Sequence, residues 1–253
     1  MLALHASNIS KSYKSSGQTI EVLRHVDLQI ASGEMVAIMG PSGSGKTTLL
    51  HVLAGVDVPD SGTVELGGED FSGLTEEEKA FFRRTHIGMV FQDFQLLESL
   101  TVKENILLPL ILNQKDVYWQ DKALKKVMEA LELAEFADKR IAELSGGQKQ
   151  RVAIGRALIH EPGIVFGDEP TGSLDLKTTR DVMCCMVQMN RKFGSSFLLV
   201  THDAYAASYC DRALLLQDGK LKSEVRKQES NASFREDILN MWCCLGGEAD
   251  DFL

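Results

Sequence analysis

Gly40-Pro41-Ser42-Gly43-Ser44-Gly45-Lys46-Thr47 is the stretch on which the reading of the chain turns. The apolar run Met35-Val36-Ala37-Ile38-Met39 precedes it, and Thr48-Leu49-Leu50-His51-Val52-Leu53-Ala54-Gly55 follows. The order is strand, glycine-rich loop, helix, with the G-x-x-x-x-G-K-[ST] spacing of a P-loop. Glycines let backbone N–H groups turn toward phosphate oxygens with no Cβ in the way. The helix behind them adds free N–H groups and the positive end of its dipole. Lys46 is placed to reach the β- and γ-phosphates, and Thr47 to offer a hydroxyl to Mg²⁺. The stretch predicts nucleoside-triphosphate binding; what the energy drives must come from elsewhere.

Upstream, residues 2–39 read as β-rich, with Leu2 and Leu4 alternating with small or polar neighbours and Val22, Leu23, Val26, Leu28 and Ile30 marking further extended segments. Residues 12–18 read as a loop with Tyr13 near its start, and on its own that tyrosine carries no ligand assignment. Downstream, Gly55 is placed to end the P-loop helix, and Thr63-Val64-Glu65-Leu66 before Gly67-Gly68 reads as strand and turn. Thr75-Glu76-Glu77-Glu78 has the form of a capping box. Ile87-Gly88-Met89-Val90-Phe91 then reads as a buried strand ending at Gln92. From position alone Gln92 is equally a ligand-facing residue or a polar strand end.

Residues 93–143 lack strand signals and read as a helical insertion. Thr101-Val102-Lys103-Glu104 is a second capping box, and Leu124, Val127, Met128 and Leu131 fall on one helix face. Phe94, Leu96 and Leu97 either dock a partner or pack within the domain. Leu144-Ser145-Gly146-Gly147-Gln148 opens another helix, with Ser145 and Gln148 as a third capping box. Two glycines in a first turn cost helix stability, so their expected use is close backbone approach to an anion.

Ile164-Val165-Phe166-Gly167 is an apolar strand ending in Asp168-Glu169. In P-loop enzymes an Asp here helps hold Mg²⁺, and Glu169 is placed to polarise a water. Phe197-Leu198-Leu199-Val200 is another buried strand, leading to Thr201 and His202 at the sheet end where a site is expected. Asp218-Gly219 signals a hairpin. Residues 222–233 read as a polar loop, followed by a helix with Phe234, Ile238 and Met241 on one face, broken at Gly246-Gly247.

The 253 residues suit one large domain or two small ones. A formal net charge of -9 disfavours nonspecific nucleic-acid binding. The longest apolar run, Ile106-Leu107-Leu108-Pro109-Leu110-Ile111-Leu112, is too short to span a bilayer, and the first residues do not read as a signal peptide, so a cytoplasmic location is expected. Cys184, Cys185, Cys210, Cys243 and Cys244 do not form a disulfide or zinc pattern and read as buried or incidental thiols.

Taken together, the P-loop, Gln92, the LSGGQ at 144–148, Asp168-Glu169, Ser173-Leu174-Asp175 and His202 resemble the ATP-binding cassette of ABC transporters over residues 2–225. The resemblance implies an α/β fold: a RecA-like P-loop NTPase core (2–92 and 144–225) with an antiparallel β subdomain, an α-helical subdomain (93–143) and a C-terminal tail (226–253). It implies ATP and Mg²⁺ as cofactors. Tyr13 lies near the position of the aromatic that stacks on adenine. Gly40, Pro41, Ser42, Gly43, Ser44, Gly45, Lys46, Thr47 and Thr48 cradle phosphates, and Thr47, Gln92 and Asp168 serve Mg²⁺. Glu169 is similar to the catalytic base and His202 to the switch histidine. Ser145, Gly146, Gly147 and Gln148 meet the γ-phosphate held by a second cassette, which implies a head-to-tail homodimer.

Within that family, Asp168-Glu169-Pro170-Thr171-Gly172 and the P-loop resemble lipoprotein-release, macrolide-export and cell-division cassettes. Residues 101–110, Ala206-Ala207-Ser208-Tyr209-Cys210 and the ending at 234–238 and 245–247 resemble cassettes of bacitracin- and lantibiotic-type peptide resistance transporters. Those pair with one long permease, often alongside a sensor kinase, and sit on the inner face of the membrane. Gly167 departs from the Ala of many relatives. A non-transport ABC ATPase is the competing expectation, against which stand the single cassette, the short 93–143 segment and the acidic charge. A P-loop kinase or GTPase leaves LSGGQ unexplained, and no N-K-x-D-type motif is found.

Overall fold

The computed structural model describes residues 1–15, 18–71, 73–228 and 230–244. The chain opens with a long antiparallel hairpin, β1 (Leu2–Ser15) and β2 (Gln18–Ala31), then β3 (Met35–Met39) and α1 (Lys46–Leu53). β4 (Ser61–Leu66), the short β5 (Glu69–Asp70), α2 (Glu76–His86) and β6 (Ile87–Phe91) follow. The helical stretch holds α3 (Val102–Leu112) and α4 (Val117–Ala130), two 3-10 turns (Ala134–Phe136 and Ile141–Glu143) and α5 (Gly146–Leu158). The remainder is β7 (Ile164–Asp168), α6 (Leu176–Phe193), β8 (Ser196–Val200), α7 (Ala204–Ala207), β9 (Arg212–Gln217), β10 (Lys220–Arg226) and α8 (Asn231–Cys243).

Two sheets result. One is antiparallel, in the order β2-β1-β4-β5; the other runs β10-β9-β3-β8-β7-β6, parallel except for the antiparallel edge strand β10. Strand alternation builds two cores from one sheet. On β3, Val36 and Ile38 enter the core shared with α1 and the antiparallel sheet. Met35, Ala37 and Met39 enter the core under α3, α4, α5, α6 and α8. α1 is therefore sandwiched, with Leu49, Leu50 and Leu53 fully buried. The expected fold class, an α/β P-loop core with an antiparallel sheet and a helical part, is the one found.

All three expected capping boxes form: Thr75 with Glu78, Thr101 with Glu104 and Ser145 with Gln148. The Asp218-Gly219 turn takes φ of 50° and 72°, the double positive φ of a tight hairpin between β9 and β10. Two loop expectations are corrected. Ser12, Tyr13 and Lys14 belong to β1, paired with Glu21, Ile20 and Thr19, because the long hairpin carries polar residues through its ladder. Residues 222–226 belong to β10, an edge strand that alternates exposed Lys220, Lys222, Glu224 and Arg226 with half-buried Leu221, Ser223 and Val225. The tail helix starts at a Ser230 cap, and Trp242 joins Phe234 and Ile238 as its buried residues, with Met241 only partly buried. The expected break at Gly246-Gly247 lies outside the described residues. No helix among the described residues is long and apolar enough to cross a membrane.

Candidate active site

The parallel register sets Phe91, Asp168, Val200 and Ile38 side by side across β6, β7, β8 and β3. Chain direction then delivers Gln92, Glu169, Thr201-His202 and Gly40 to one rim of the sheet, its carboxyl end. Glu169 and Thr201-His202 are each more than a hundred residues from the loop at 40–47 in sequence, and strand order brings them together with it.

In the loop, Gly40 and Gly45 take φ of 154° and 102°. A Cβ on Gly40 would stand 2.1 Å from the Leu216 carbonyl oxygen, and one on Gly45 3.0 Å from that of Val22. These glycines let the loop pass between the neighbouring strand ends. Lys46 Nζ donates to its own loop, to Gly40 O at 2.8 Å and Pro41 O at 3.0 Å. Burial lowers its pKa, with Glu169 and Asp168 pulling it back up. Ser44 Oγ is buried without a hydrogen-bond partner, and Gly43 opens onto empty space. A cation curled onto carbonyls, an orphaned hydroxyl and an open cradle at a helix N-terminus fit a polyphosphate.

Thr47 Oγ1 donates to Asp168 Oδ1 at 3.4 Å. Burial raises the Asp168 pKa, opposed by His51 and reinforced by the neighbouring Glu169. Thr47, Gln92, Asp168, Glu169 and Ser173 share one cavity of ≈ 740 Å³. Hydroxyl, carboxamide oxygen and carboxylate are hard oxygen donors that suit Mg²⁺, which commonly takes one or two carboxylates and completes its shell with phosphates and water. Among the described residues no cluster of three or more His, Cys, Asp or Glu could hold a metal alone.

Glu169 sits in the left-handed region at φ 46°, an uncommon conformation for a non-glycine residue. Its N–H donates to Val200 O at 2.9 Å and its carbonyl accepts from Gly172 N–H at 3.0 Å, which fixes the turn. Its Oε2 is 3.0 Å from His202 Nδ1. His202 lines an adjoining cavity of ≈ 380 Å³ with Thr171, Thr201 and Arg235, so the Glu169–His202 pair stands between two hollows.

Two expected groups stand apart from this convergence. Residues 145–148 line neither cavity; Ser145 and Gln148 are occupied with capping each other. The structure also supplies a packing reason for their glycines, since a Cβ on Gly147 would meet Thr178 Cγ2 at 2.7 Å and one on Gly146 Leu174 Cδ2 at 3.1 Å. Tyr13 lies on β1, its hydroxyl bonded to Asp57 beyond the far end of α1. Phe94 and Leu96 are half-buried, while Leu97 is exposed.

Several residues at the site went unremarked in the sequence. Gln150, fully buried on α5, donates to Pro170 O at 2.5 Å and Phe91 O at 3.3 Å, tying the ends of β6 and β7. Its signal was a glutamine on the same face as Ile154 and Ala157, an apolar stripe. Arg156, also on α5, donates to the carbonyls of Gln95 and Phe94 and so clamps the loop after Gln92. Gly172 lies against both site side chains: a Cβ there would be 3.0 Å from Glu169 Oε2 and 3.1 Å from Gln92 Cδ.

The profile of the family described as ABC transporter matches residues 23–172. The chain is 44% identical over 252 residues, 99% of this chain and 100% of the relative, to the bacitracin export ATP-binding protein BceA of Halalkalibacterium halodurans. It is 40% identical over 220 residues, 87% of this chain and 97% of the relative, to the lipoprotein-releasing system ATP-binding protein LolD of Legionella pneumophila. Among solved structures, a dimeric ATP-binding cassette in a post-hydrolysis state with ADP and Pi matches at TM-score 0.80 and 37% identity, covering 89% of this chain and 99% of that one.

Proposed function

Because the chain belongs to the ABC transporter family, we propose that it is the ATP-hydrolysing subunit of a transporter, driving a separate membrane permease for resistance to or export of a bacitracin- or lantibiotic-type peptide. The observation that carries the ATPase reading is the convergence of Lys46, Thr47, Asp168, Glu169 and His202 at one sheet rim. The peptide class is supported by similarity to a bacitracin export ATP-binding protein that runs the length of both chains, tail helix included, whereas the lipoprotein-release relative matches 87% of this chain.

On this reading, residues 40–48 wrap the phosphates with backbone N–H groups, and Lys46 leaves the Gly40 and Pro41 carbonyls for the β- and γ-phosphate oxygens. Tyr13 stacks on the adenine. Thr47, Gln92 and Asp168 hold Mg²⁺, which neutralises charge building on the transferring phosphoryl group. Glu169 orients a water and takes its proton as the water attacks the γ-phosphorus and ADP leaves. His202 holds the Glu169 carboxylate in that position. Ser145, Gly146, Gly147 and Gln148 close onto the γ-phosphate bound by a second copy, giving a head-to-tail homodimer with two ATP between subunits.

Residues 2–92 and 144–225 form the nucleotide core, 93–143 a helical subdomain and 226–253 the tail. The protein is peripheral on the cytoplasmic face of the membrane. The permease docks at the groove of ≈ 290 Å³ between β6 and α3, where Met89, Leu108, Pro109 and Leu112 give an apolar floor beside Arg84. Arg156 and Gln95 line the same groove, so a push there reaches Gln92 through the clamped loop. A sensor kinase joins the complex through the permease.

The test is Glu169→Gln expressed with its membrane permease. Removing a general base costs about 10²–10⁴-fold, so hydrolysis should fall by that much while ATP is retained and the variant accumulates as a dimer. Wild-type turnover removes Glu169 from the base role, and failure of the wild-type chain to co-purify with any membrane protein overturns the transporter reading. Stimulation of the complex by bacitracin, tested against lipoprotein and macrolide, decides the substrate class.

A further inference from the structure

We infer that Asp57 and Lys11 are positioning residues for the base of the nucleotide, locking the Tyr13 ring as a one-sided stacking platform carried on the P-loop helix. The inference rests on the nucleotide reading above, in which Tyr13 meets the adenine. Tyr13 is 41% exposed, yet both the edge and one face of its ring are engaged. Its hydroxyl donates to Asp57 Oδ2 at 2.5 Å. The other carboxylate oxygen accepts from Lys11 Nζ at 2.8 Å and from the Val58 N–H at 2.7 Å. The same ammonium donates to Val58 O at 2.6 Å and lies 5.1 Å from the centroid of the Tyr13 ring. A cation at that distance occupies one face of the ring, and Tyr13 keeps exposed surface that could meet a flat partner.

The tether runs back to the phosphate site. Asp57 and Val56 both donate their N–H groups to His51 O, at 3.1 and 2.8 Å, folding the exit of α1 onto its own last turn. The β1 backbone is clipped to the same exit loop, Ser12 N–H to Asp60 Oδ2 at 2.7 Å and Asp60 N–H to Ser10 O at 2.8 Å. Platform and phosphate cradle are thus both tied to one eight-residue helix. Burial would push the Asp57 carboxyl up, but hydrogen bonds from Lys11, Tyr13 and Val58 outweigh it and hold it below the usual range, as a charged anchor requires. A ring held in advance loses less freedom when a base stacks on it.

The test measures Mg·ADP and Mg·pyrophosphate affinity of the full chain by calorimetry. Base–aromatic stacking is worth roughly a 5- to 150-fold change in affinity, so Tyr13→Ala should weaken ADP by about tenfold or more and leave pyrophosphate unchanged. Asp57→Ala should weaken ADP about fivefold, again sparing pyrophosphate, and Tyr13→Phe, which keeps the ring and loses the tether, by about threefold. The double variant Tyr13→Ala/Asp57→Ala should bind ADP no more weakly than Tyr13→Ala alone, because Asp57 acts through the ring. Asp57→Asn, which retains size and an acceptor, should recover part of the loss and serves if the alanine variant does not fold. Additive losses in the double variant, or equal weakening of ADP and pyrophosphate, overturn the tether and make Asp57 a support of the α1 exit. Wild-type ADP affinity in Tyr13→Ala overturns the adenine reading itself, a distinct outcome.

Discussion

Substituting Gly172 with alanine should slow hydrolysis without disturbing binding or the fold. The residue is exposed and its φ is ordinary, so alanine adds no backbone strain. The added Cβ meets Glu169 Oε2 at 3.0 Å, Gln92 Cδ at 3.1 Å and Gln92 Nε2 at 3.2 Å. Ordinary contact begins at 3.4 Å, so the carboxylate has to give by about 0.4 Å and the carboxamide by slightly less. A misplacement of about 1 Å at a reacting group costs about 10²-fold. Scaled to the displacement, the carboxylate shift alone is worth about sixfold, and the shift of Gln92 brings the expected loss to about tenfold in kcat. An exposed substitution away from caps and cores stays within about 0.5 kcal/mol in stability, so the melting temperature should hold. ADP affinity should hold too, because the nearest atoms that the added Cβ meets belong to Glu169 and Gln92 and not to Lys46 or Thr47. The assay is steady-state hydrolysis beside a thermal melt and ADP calorimetry. A kcat within twofold of wild type, in a variant with unchanged melting, would refute the tight placement of Glu169 on which the base role depends.

Gly167→Ala places a Cβ 2.7 Å from Leu199 Cδ2 in the fully packed core; it should cost about 1–3 kcal/mol, read by chemical denaturation, and Leu199→Val should restore much of it. Arg212→Ala should cost roughly 3 kcal/mol or more, because Arg212 is buried on β9 and joins Glu224 at 2.9 Å, Glu34 at 3.2 Å and the Gln29 carbonyl, tying the two sheets together. Thiol labelling of the native protein should reach Cys243 and Cys244 and spare Cys185 and Cys210 until unfolding, since burial pushes the Cys185 thiol up to about 11 and Cys210 higher still.

What the sequence made legible was local. Three capping boxes were readable because each needs only four consecutive residues, and all three form. The buried strands were readable because β3, β7 and β8 are covered on both faces and so are apolar runs. The misread segments depend on distant partners. Ser12 and Lys14 look like loop residues, but a hairpin fourteen residues long on each side holds them in its ladder. β10 looks polar because as an edge strand it buries only one side, and only β9 tells it from a loop. The same limit applies to the site. Each of Gly40, Gln92, Glu169 and His202 could be marked as a residue just past a strand. Their meeting required the strand order β3-β8-β7-β6, which no local pattern carries.

The two glycines at 146 and 147 show how the structure changes the weight of a sequence argument. Their presence in a first turn suggested an anion, since each costs about 1 kcal/mol of helix stability relative to alanine. Gly147 has another explanation: its Cβ would press on Thr178 Cγ2 at 2.7 Å, on the helix that Asp175 caps. Gly146 is less constrained, meeting only the flexible end of Leu174 at 3.1 Å. The ligand argument therefore rests on Gly146 and on the exposed cap at Ser145 more than on the pair. Leu174 belongs to the turn after Glu169, the same turn in which Gly172 faces the carboxylate and Ser173 Oγ donates to Gln92 O at 3.2 Å. A load placed on Gly146 by a second copy would reach Leu174, and through that one turn both Glu169 and Gln92. On the proposed function, dimer closure and assembly of the hydrolytic site would be coupled through this turn, which would give a physical reason for a chain holding Lys46, Asp168 and Glu169 to wait for its partner before cleaving ATP.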